Sequence, residues 1–310
     1  MPRLDALTLK QLRALIAVSK TGSLTAAAEA TSLTPPAIHS QIKNLEIALG
    51  TEMLMRSPSL SGLVPTHDGK LVVETAQQIE AILSRLGQQL RALKQGKRGQ
   101  VALGVVSTGK YFAPGLIRRL NGLCPDIEIS LRVGNRETVI TELDRGTIDL
   151  AIMGRPPRMP EVVAVPLGSH PHSIILPPDH PLADTANFDT DVLLRQTFIA
   201  REPGSGTRIL MQRYLDGVSE GRELRLIEMD SNETIKQAVI AGLGIAMLSL
   251  HTVSEELRHG RVKLLRAPGL PVIRHWYLVY QAATVLPAPA AEIVSQVTAM
   301  NGSYFPEVLD

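Results

Sequence analysis

The chain has little cysteine and no apolar run long enough to span a membrane. The first absence argues against a disulfide-stabilised protein and the second against a membrane-spanning one. Among its 310 residues there is one cysteine, Cys124, so no intramolecular disulfide can form. Because Pro125 follows it directly, we expect this thiol to be a small core side chain rather than a redox sensor. Without a signal peptide or transmembrane run, the sequence predicts a cytoplasmic protein with no membrane partner.

Motifs that carry catalysis are also scarce. Residues 104–110 have the G-x-x-x-x-G-K spacing of a phosphate-binding loop, but Tyr111 stands where that loop needs Ser or Thr to hold magnesium. Residues 170–172 read His-Pro-His, and without a supporting cluster of carboxylates or cysteines we expect a loop there rather than a metal pair. The sequence shows no arrangement of a nucleophile with a general base that would support a hydrolase. The sequence therefore predicts no metal, no cofactor and no enzymatic activity.

The formal net charge is only +2, and the excess of Lys and Arg over Asp and Glu falls within residues 1–98. A mildly basic end on a nearly neutral protein fits contact with a polyanion through one region, although charge alone does not establish DNA binding. The length predicts two or three compact units, each large enough to bury a core.

Residues 9–50 are predicted to form three short helices. Ser23 or Thr25 can cap the second, which is rich in alanine, and Thr34 can cap the third. Pro35 and Pro36 fall in the first turn of the third helix, where a missing N–H costs nothing, and Gly50 ends it. Two helices joined by so tight a turn indicate a helix-turn-helix.

The polar side of the third helix indicates what this motif binds. Gln41 can pair with the edge of adenine, and Ser40 can contact base edges or phosphates. Lys43 and Arg56 suit phosphates, which position a protein without reading sequence. The pattern favours DNA, with a solvated three-helix bundle that binds another protein as the alternative.

The same region resembles the N-terminal domain of the LysR-type transcriptional regulators. Residues 22–28 read GSLTAAA, residues 34–38 read TPPAI and residues 41–46 read QIKNLE, followed by Leu49-Gly50 and Arg56. Pro35 and His39 depart from the family pattern. These departures affect which operator sequence is expected, not whether the chain binds DNA. The resemblance implies a winged helix-turn-helix that binds double-stranded DNA through Thr34, Pro35, Ala37, His39, Ser40, Gln41, Lys43 and Arg56.

Residues 68–95 are predicted to form one long helix, and 95–99 a short polar hinge. The helix carries an apolar stripe, formed by Ile79, Ile82, Leu86, Leu90 and Leu93. Because no second helix lies nearby in sequence, the stripe favours pairing with another copy of the chain over packing on its own domain. The resemblance likewise implies a dimer through this helix and a homotetramer, and allows RNA polymerase as a further partner.

From residue 100 onward, strands alternate with helices. Strands predicted at 101–106, 127–133 and 148–153 are separated by helices at 111–123 and 138–145, a series typical of a parallel sheet. Further strands are predicted at 197–200, 224–229 and 245–250, before residues 273–281 and a helix near 290–300 return to the first unit.

The predicted fold is therefore α/β with an N-terminal all-α winged helix-turn-helix domain and a long linker helix. It ends in a two-lobed effector domain that resembles the periplasmic binding proteins. The predicted divisions are 1–67 for the DNA-binding domain, 68–98 for the linker, 99–164 with 269–302 for lobe I, and 165–268 for lobe II.

Ligands of open α/β sheets bind at loops that follow strands and begin helices. Four such loops carry small polar or basic residues, and free N–H groups at helix starts attract anions. They predict an anionic effector bound by Ser107, Thr108, Lys110, Arg136, Arg201, Ser205, Gly206, Thr207, Arg208 and Asn232. The alternative for each loop is that Ser, Asn and Gly only cap helices and turn the chain.

Within the LysR-type group, particular stretches resemble regulators of Calvin-cycle operons, the CbbR type. They are residues 8–30 with 34–42, 107–117 (STGKYFAPGLI), 201–208 (REPGSGTR) and 229–253 (MDSNETIKQAVIAGLGIAMLSLHTV). The resemblance implies a sugar bisphosphate, phosphoenolpyruvate, ATP or NADPH as effector. The motifs at 201–208 (REPGSGTR) and 231–239 (SNETIKQAV) also occur in relatives with other duties, so regulators of sulfur, nitrogen or aromatic metabolism are alternatives. From another class, the alternative is a cytoplasmic ligand-binding protein whose helix-turn-helix binds a protein.

Overall fold

The computed structural model describes residues 2–56, 62–94, 97–183, 185, 189–219 and 221–308. The chain divides into unit 1, residues 1–87, and unit 2, residues 88–310. The centre of the predicted wing, 57–61, and the first two residues of the predicted hinge, 95–96, lie outside the described residues. Within the described ranges, none of the helices has the length and apolar character that a bilayer crossing demands.

Unit 1 has the predicted three helices and a short hairpin, followed by the long helix that continues into unit 2. These elements are α1 (Leu9–Thr21), α2 (Leu24–Thr31), α3 (Pro35–Leu49), β1 (Leu54–Arg56), β2 (Leu63–Pro65) and α4 (His67–Lys94). Their apolar faces meet in one core, in which Leu15, Val18, Ile38, Leu45 and Met53 are fully buried. The antiparallel hairpin β1–β2 is the described part of the wing.

Local capping fixes where the helices of unit 1 begin and end. The Ser23 and Thr34 hydroxyls accept hydrogen bonds from the backbone N–H groups of Ala26 and Ala37, so Ser23 rather than Thr25 is the second cap. Gly50 ends α3 with a φ of 75°, a left-handed conformation that glycine adopts without strain.

Gly69, in the first turn of α4, permits a close approach of backbone to backbone. A Cβ at this position would lie 2.0 Å from the carbonyl oxygen of Met53. The Thr66 hydroxyl links the same segments, because it donates to the Glu52 carbonyl at 2.7 Å and accepts from the Gly69 N–H at 2.9 Å. The start of α4 is thereby tied to the segment that enters the hairpin.

The strands of unit 2 are β3 (Gly99–Val106), β4 (Ile127–Gly134), β5 (Leu150–Met153), β6 (Val162–Leu176), β7 (Thr197–Arg201), β8 (Arg225–Met229), β9 (Ala246–Ser249), β10 (Lys263–Leu264) and β11 (Val272–Gln281). Between and after them lie the helices α5 (Ala113–Leu123), α6 (Arg136–Asp144), α7 (Thr190–Leu194), α8 (Gly206–Ser219), α9 (Asn232–Ile240), α10 (Ser254–Arg258) and α11 (Ala288–Ala299). Short 3₁₀ turns at Ser107–Tyr111 and Leu250–Thr252 follow β3 and β9.

Two strands, β6 and β11, run through both lobes of unit 2. The first half of β6 packs with the lobe I core around Leu103, Leu150 and Trp276, and its last residues, 174–176, pack in the cores of lobe II. β11 pairs antiparallel with β6 along its length. The two lobes are therefore joined by two paired strands.

The main sheet is mixed, because two strands that the parallel series at residues 101–153 did not include join it. β3, β4 and β5 are parallel as expected, but β11 and β6 run antiparallel within the same sheet. β6 was missed because its sequence contains Pro166, Gly168 and Pro171, residues that normally argue against a central strand. His170-Pro171-His172, predicted to be a loop, is part of β6, and both histidines are buried.

Candidate nucleic-acid interface and ligand cavity

The third helix of unit 1 presents polar residues to solvent because its apolar residues face the core. Ile38, Ile42 and Leu45 are buried at helical spacing. The predicted DNA-contacting residues of α3 and its cap are exposed or half-buried: Thr34, Pro35, Ala37, His39, Ser40, Gln41 and Lys43. α3 can therefore place polar side chains in a major groove while its apolar face stays packed.

The turn before α3 is short and internally hydrogen-bonded. Ser32 closes α2 with a φ of 55°, and the N–H of Leu33 donates to the Ala28 carbonyl at 2.9 Å. Thr34 follows at once as the cap of α3. Such a turn holds two helices at a fixed angle, as a helix-turn-helix requires.

The two predicted phosphate contacts lie on different elements. Lys43 is on α3, and its exposed ammonium is 3.8 Å from the half-buried Glu46 carboxylate, a long contact that leaves the ammonium accessible to a phosphate. Arg56 is the last residue of β1 and is exposed. The structure thus puts seven of the eight predicted residues on α3 or its cap and the eighth on the hairpin; their roles toward DNA stay predictions.

A cavity of about 150 Å³ lies in unit 2 where both lobes meet the paired strands β6 and β11. Its walls come from the carboxyl end of β3, the start of α6, the loop after β5 and one face of α8. The lining residues are Val106, Ser107, Thr108, Arg136, Gly154, Arg155, His170, His172, Ser205, Gly206, Thr207, Ile209, Leu210, Arg213 and Arg274.

The charge of this cavity has one sign. Among the described residues that line it, four are arginines (Arg136, Arg155, Arg213 and Arg274) and none is acidic. The Arg136 guanidinium donates to the backbone carbonyls of Arg155 and Pro156. Burial, and then the charge of Arg155, lower the pKa of Arg136 below its ordinary value. An anion in the cavity would relieve this unfavourable charge.

Six of the ten predicted effector-binding residues line the cavity: Ser107, Thr108, Arg136, Ser205, Gly206 and Thr207. The last three stand at the start of α8, a helix of 14 residues. The first N–H groups of a helix have no partner within it, and its dipole favours negative charge there. The lining therefore combines hydroxyl groups, backbone donors and guanidinium groups.

Two of the remaining four predicted residues are held by partners away from the cavity lining. The Lys110 ammonium is paired with the Glu233 carboxylate. Arg208 donates to the backbone carbonyl of Arg201 at 2.8 Å and lies 3.4 Å from the Glu228 carboxylate. Both cations are neutralised by carboxylates, so the structure does not direct them at a ligand in the cavity.

The other two, Arg201 and Asn232, lie directly behind a lining residue. Arg201 is buried, and its Nη1 donates to the Asn232 Oδ1 at 2.5 Å and to the Ser107 hydroxyl at 3.1 Å. Its Nε and Nη2 donate to the Glu202 carboxylate at 2.7 and 2.9 Å. Arg201 therefore contacts the cavity lining through Ser107.

Sequence reasoning missed several lining residues. Gly154 and Arg155 directly follow the buried strand β5, so the rule that ligands bind beyond the carboxyl ends of strands would have found them. Helical spacing from Gly206 would have found Ile209, Leu210 and Arg213 on one face of α8. His170, His172 and Arg274 carry no local signal, because they reach the cavity through the pairing of two strands distant in sequence.

Three buried histidines near the paired strands are neutral at physiological pH. Burial lowers the pKa of His172 to about 4 and that of His251 to about 4. Burial and the neighbouring His172 also lower the pKa of His170. His172 Nδ1–H donates to the His170 carbonyl at 3.1 Å, and Trp276 Nε1–H donates to His251 Nδ1 at 3.0 Å. These rings therefore act through hydrogen bonds and packing rather than through charge.

The phosphate-loop spacing at residues 104–110 has a different geometry. Gly104 lies inside β3, where a Cβ would meet the Ile148 side chain at 2.4 Å. Ser107–Tyr111 form a 3₁₀ turn rather than a loop that wraps a phosphate. Across the described ranges, no group of three or more His, Cys, Asp or Glu side chains is placed to hold a metal ion.

Cys124 is buried in the lobe I core, as predicted for a small core side chain. Burial, and then the Glu292 carboxylate 3.6 Å from its sulfur, raise the pKa of the Cys124 thiol. A thiol that is buried and protonated reacts poorly with oxidants.

Two family models cover nearly the whole chain. Residues 9–70 match "Bacterial regulatory helix-turn-helix protein, lysR family", and residues 94–301 match "LysR substrate binding domain". The two matched segments contain the helix-turn-helix of unit 1 and the two lobes of unit 2.

Curated relatives and a solved structure give the same pattern. The HTH-type transcriptional regulator CbbR of Cereibacter sphaeroides is 56% identical over 306 residues, covering 99% of each chain. The RuBisCO operon transcriptional regulator of Allochromatium vinosum is 38% identical over 285 residues, covering 92% of this chain and 93% of that one. The Synechocystis PCC6803 CcmR regulatory domain in complex with 2-PG is 32% identical, with a TM-score of 0.61 over 65% of this chain and 97% of that chain.

Proposed function

This chain belongs to the LysR family of bacterial transcriptional regulators, and from that membership we propose that it controls Calvin-cycle carbon dioxide fixation genes in response to an anionic metabolite. It is a DNA-binding regulator and not an enzyme. Its 56% identity to a CbbR regulator and its 38% identity to a RuBisCO operon regulator, both over nearly the full length, support this pathway.

The observation that carries the proposed effector class is the charge of the cavity in unit 2. Its four lining arginines are joined by hydroxyl groups and the start of α8, and no carboxylate among the described lining residues opposes them. Such a set of donors suits phosphate or carboxylate oxygens. We therefore propose as effector a sugar bisphosphate, phosphoenolpyruvate, ATP or NADPH. The 2-PG complex of the Synechocystis relative supports a small ligand in this domain.

On DNA, we propose that α3 enters the major groove and that its residues divide between two tasks. Gln41 hydrogen-bonds a base edge, while Thr34, His39 and Ser40 contact bases or phosphates near it. Lys43 and Arg56 neutralise phosphates and so position the helix. Pro35 and Ala37 form the apolar surface at the start of α3 that packs against the groove.

We propose that two copies pair through α4. Ile79 packs partly on the core of unit 1, but four further apolar side chains on this helix are exposed: Ile82, Leu86, Leu90 and Leu93. Exposed apolar residues at helical spacing are stabilised when a second helix covers them. A dimer would present two α3 helices to one duplex and so select a roughly palindromic site, and two dimers would form the predicted tetramer.

Effector binding can change DNA binding only if the ligand favours one arrangement of the assembly. The cavity draws its walls from both lobes and from the strands that join them, so a bound anion would stabilise one relation between the lobes. We propose that this relation alters the angle between dimers, and with it the spacing and bending of the bound DNA.

The test is fluorescence anisotropy of the full-length protein with the duplex upstream of its own gene, with random duplex as competitor. Ribulose 1,5-bisphosphate is then titrated in. Specific binding that shifts with the sugar bisphosphate is the expected result. Specific binding that ignores it, and ignores phosphoenolpyruvate, ATP and NADPH as well, would contradict the proposed effector class. Folded protein with no preference over random duplex would contradict the DNA-binding role and favour a protein partner.

A further inference from the structure

The cavity of unit 2 contains a buried polar atom that no protein group satisfies. His170 is 3% exposed and lines the cavity. Its Nδ1 has no hydrogen-bond partner among the residues that the structure describes. Buried polar atoms without a partner are rare in folded proteins, and each one calls for a functional explanation.

The ring of His170 is fixed in place on its other sides. Its Nε2 lies 2.9 Å from the Ser249 hydroxyl, and its plane stacks on Trp276 with 3.7 Å between centroids and 15° between planes. His172 packs on the same ring, with centroids 4.1 Å apart. Turning the imidazole to find a partner for Nδ1 would break the hydrogen bond with Ser249, so a partner for Nδ1 must approach the ring where it stands.

A glycine borders the ring of His170 on its Nδ1 side. Gly154, the first residue after β5, also lines the cavity, and a Cβ there would lie 2.9 Å from His170 Nδ1 and 3.2 Å from Cε1. Any other residue would therefore place a methyl or larger group against the ring nitrogen. Because Nδ1 itself is buried, a ligand oxygen would reach it by displacing only the glycine backbone and no side chain.

Hydrogen-bond accounting indicates which nitrogen of His170 carries the proton. The Ser249 hydroxyl is fully buried, and within the described ranges His170 Nε2 is the acceptor within reach of its hydrogen. When that hydroxyl donates to Nε2, the neutral ring carries its proton on Nδ1. The group beside the cavity is then an N–H donor, which suits an anionic oxygen as the arginines do, but without a charge.

We propose that His170 is a specificity-determining residue of the effector site, whose Nδ1–H donates to an anionic oxygen of the bound effector while Ser249 fixes the tautomer. This inference rests on the proposed anionic effector and adds a direct contact that the sequence did not predict. Because the donor is neutral and rigidly held, it selects ligands by the position of one oxygen, whereas the arginines respond to total charge.

The test uses two amide variants of the full-length protein that differ in which nitrogen of the imidazole they replace. His170→Asn keeps a donor near the Nδ1 position, whereas His170→Gln reaches toward Ser249 and leaves the cavity side empty. His170→Phe keeps the aromatic stack with neither nitrogen. Isothermal titration calorimetry with ribulose 1,5-bisphosphate and, separately, phosphoenolpyruvate measures the dissociation constants, and circular dichroism monitors folding.

We expect the Gln and Phe variants to bind about tenfold or more weakly than the unmodified protein, with the Asn variant within about threefold of it. Equal losses in the Asn and Gln variants, or no loss in either, would overturn the proposal. If the unmodified protein binds both probes and His170→Gln binds as well as it does, only this inference fails. If the unmodified protein binds neither, the proposed anionic effector fails with it.

A second measurement separates contact from packing. In protein labelled with ¹⁵N-histidine, the ring nitrogen signals of His170 are compared before and after addition of the probe that binds. A protonated Nδ1 whose signal shifts on binding, together with loss of that shift in Gly154→Ala, is expected. A proton found on Nε2 in the bound state would overturn the assigned donor, as would an Nδ1 signal that the ligand leaves unchanged.

Discussion

Arg201 donates a hydrogen bond from Nη1 to the hydroxyl of Ser107, 3.1 Å away, so a buried arginine of lobe II holds a cavity residue of lobe I. The same nitrogen donates to Asn232 Oδ1 at 2.5 Å, and the other side of the guanidinium binds the Glu202 carboxylate. The four side chains form one connected network behind the cavity. We therefore propose that Arg201 positions Ser107, whereas its charge and its loop predicted a direct ligand contact.

Replacing Arg201 should lower the stability of unit 2 more than it lowers the affinity for the ligand. Arg201→Met leaves the Glu202 carboxylate without its guanidinium and the Asn232 amide without its donor. Arg201 is buried but the Glu202 side chain is 20% exposed, so losing these charge-assisted hydrogen bonds should lower the free energy of unfolding by about 2–3 kcal/mol. Urea denaturation of the unit 2 transition measures this loss. The matched control is Arg213→Met at an exposed arginine of the cavity lining, which should change stability by less than about 1 kcal/mol. Similar losses for the two variants would contradict the buried network.

Arg136 should contribute directly to effector binding. Arg136 lines the cavity, and burial, followed by the charge of Arg155, lowers its pKa. Arg136→Gln should weaken binding of ribulose 1,5-bisphosphate by about tenfold or more, as the loss of a charge-assisted hydrogen bond implies. Calorimetry measures the change. Arg132→Gln, at an arginine of β4 paired with Glu142 outside the cavity lining, is the control and should bind as the unmodified protein does.

Gln41 and Lys43 should affect DNA binding in different ways. Gln41→Ala should relax sequence preference by ~1–3 kcal/mol at one base position, because a base-edge contact is lost. Lys43→Ala should instead weaken binding to every duplex and reduce the salt dependence by about one phosphate contact. Anisotropy titrations on single-substituted operators at several salt concentrations separate the two effects. Identical behaviour of the two variants would mean that base reading and phosphate anchoring are wrongly assigned.

The elements that sequence predicted best are those whose signal is local. Helices α1 to α4 follow from apolar spacing and from caps such as Thr34 and Gly50, which act within a few residues of themselves. β6 could not be found this way. Its prolines oppose a strand locally, and it is stabilised by pairing with β11, about one hundred residues later in the chain.

The same distinction separates the predicted cavity residues from the missed ones. Ser107, Arg136 and Thr207 stand where a strand or loop gives way to a helix, a position that sequence can locate. His170 and Arg274 face each other across a strand pair, as the register of β6 with β11 defines, and that register is tertiary information. Lys110 and Arg208 were predicted from charge, but carboxylates distant in sequence pair with them.

Acid should destabilise unit 2 through its buried histidines. The pKa of His251 is about 4 in the folded chain, because burial disfavours the charged ring, and about 6.5 in an unfolded chain. Between these values the unfolded state binds the extra proton, so the free energy of unfolding falls as pH falls from about 6.5 toward 4. One such histidine accounts for about 2 kcal/mol between pH 7.5 and pH 5.

His251→Asn, which keeps an acceptor for the Trp276 N–H, should therefore lose about 2 kcal/mol less than the unmodified protein over that interval. Urea denaturation at both pH values measures the difference. If His251→Asn loses as much stability between the two pH values as the unmodified protein does, then His251 is already protonated in the folded chain, or its ring is open to water.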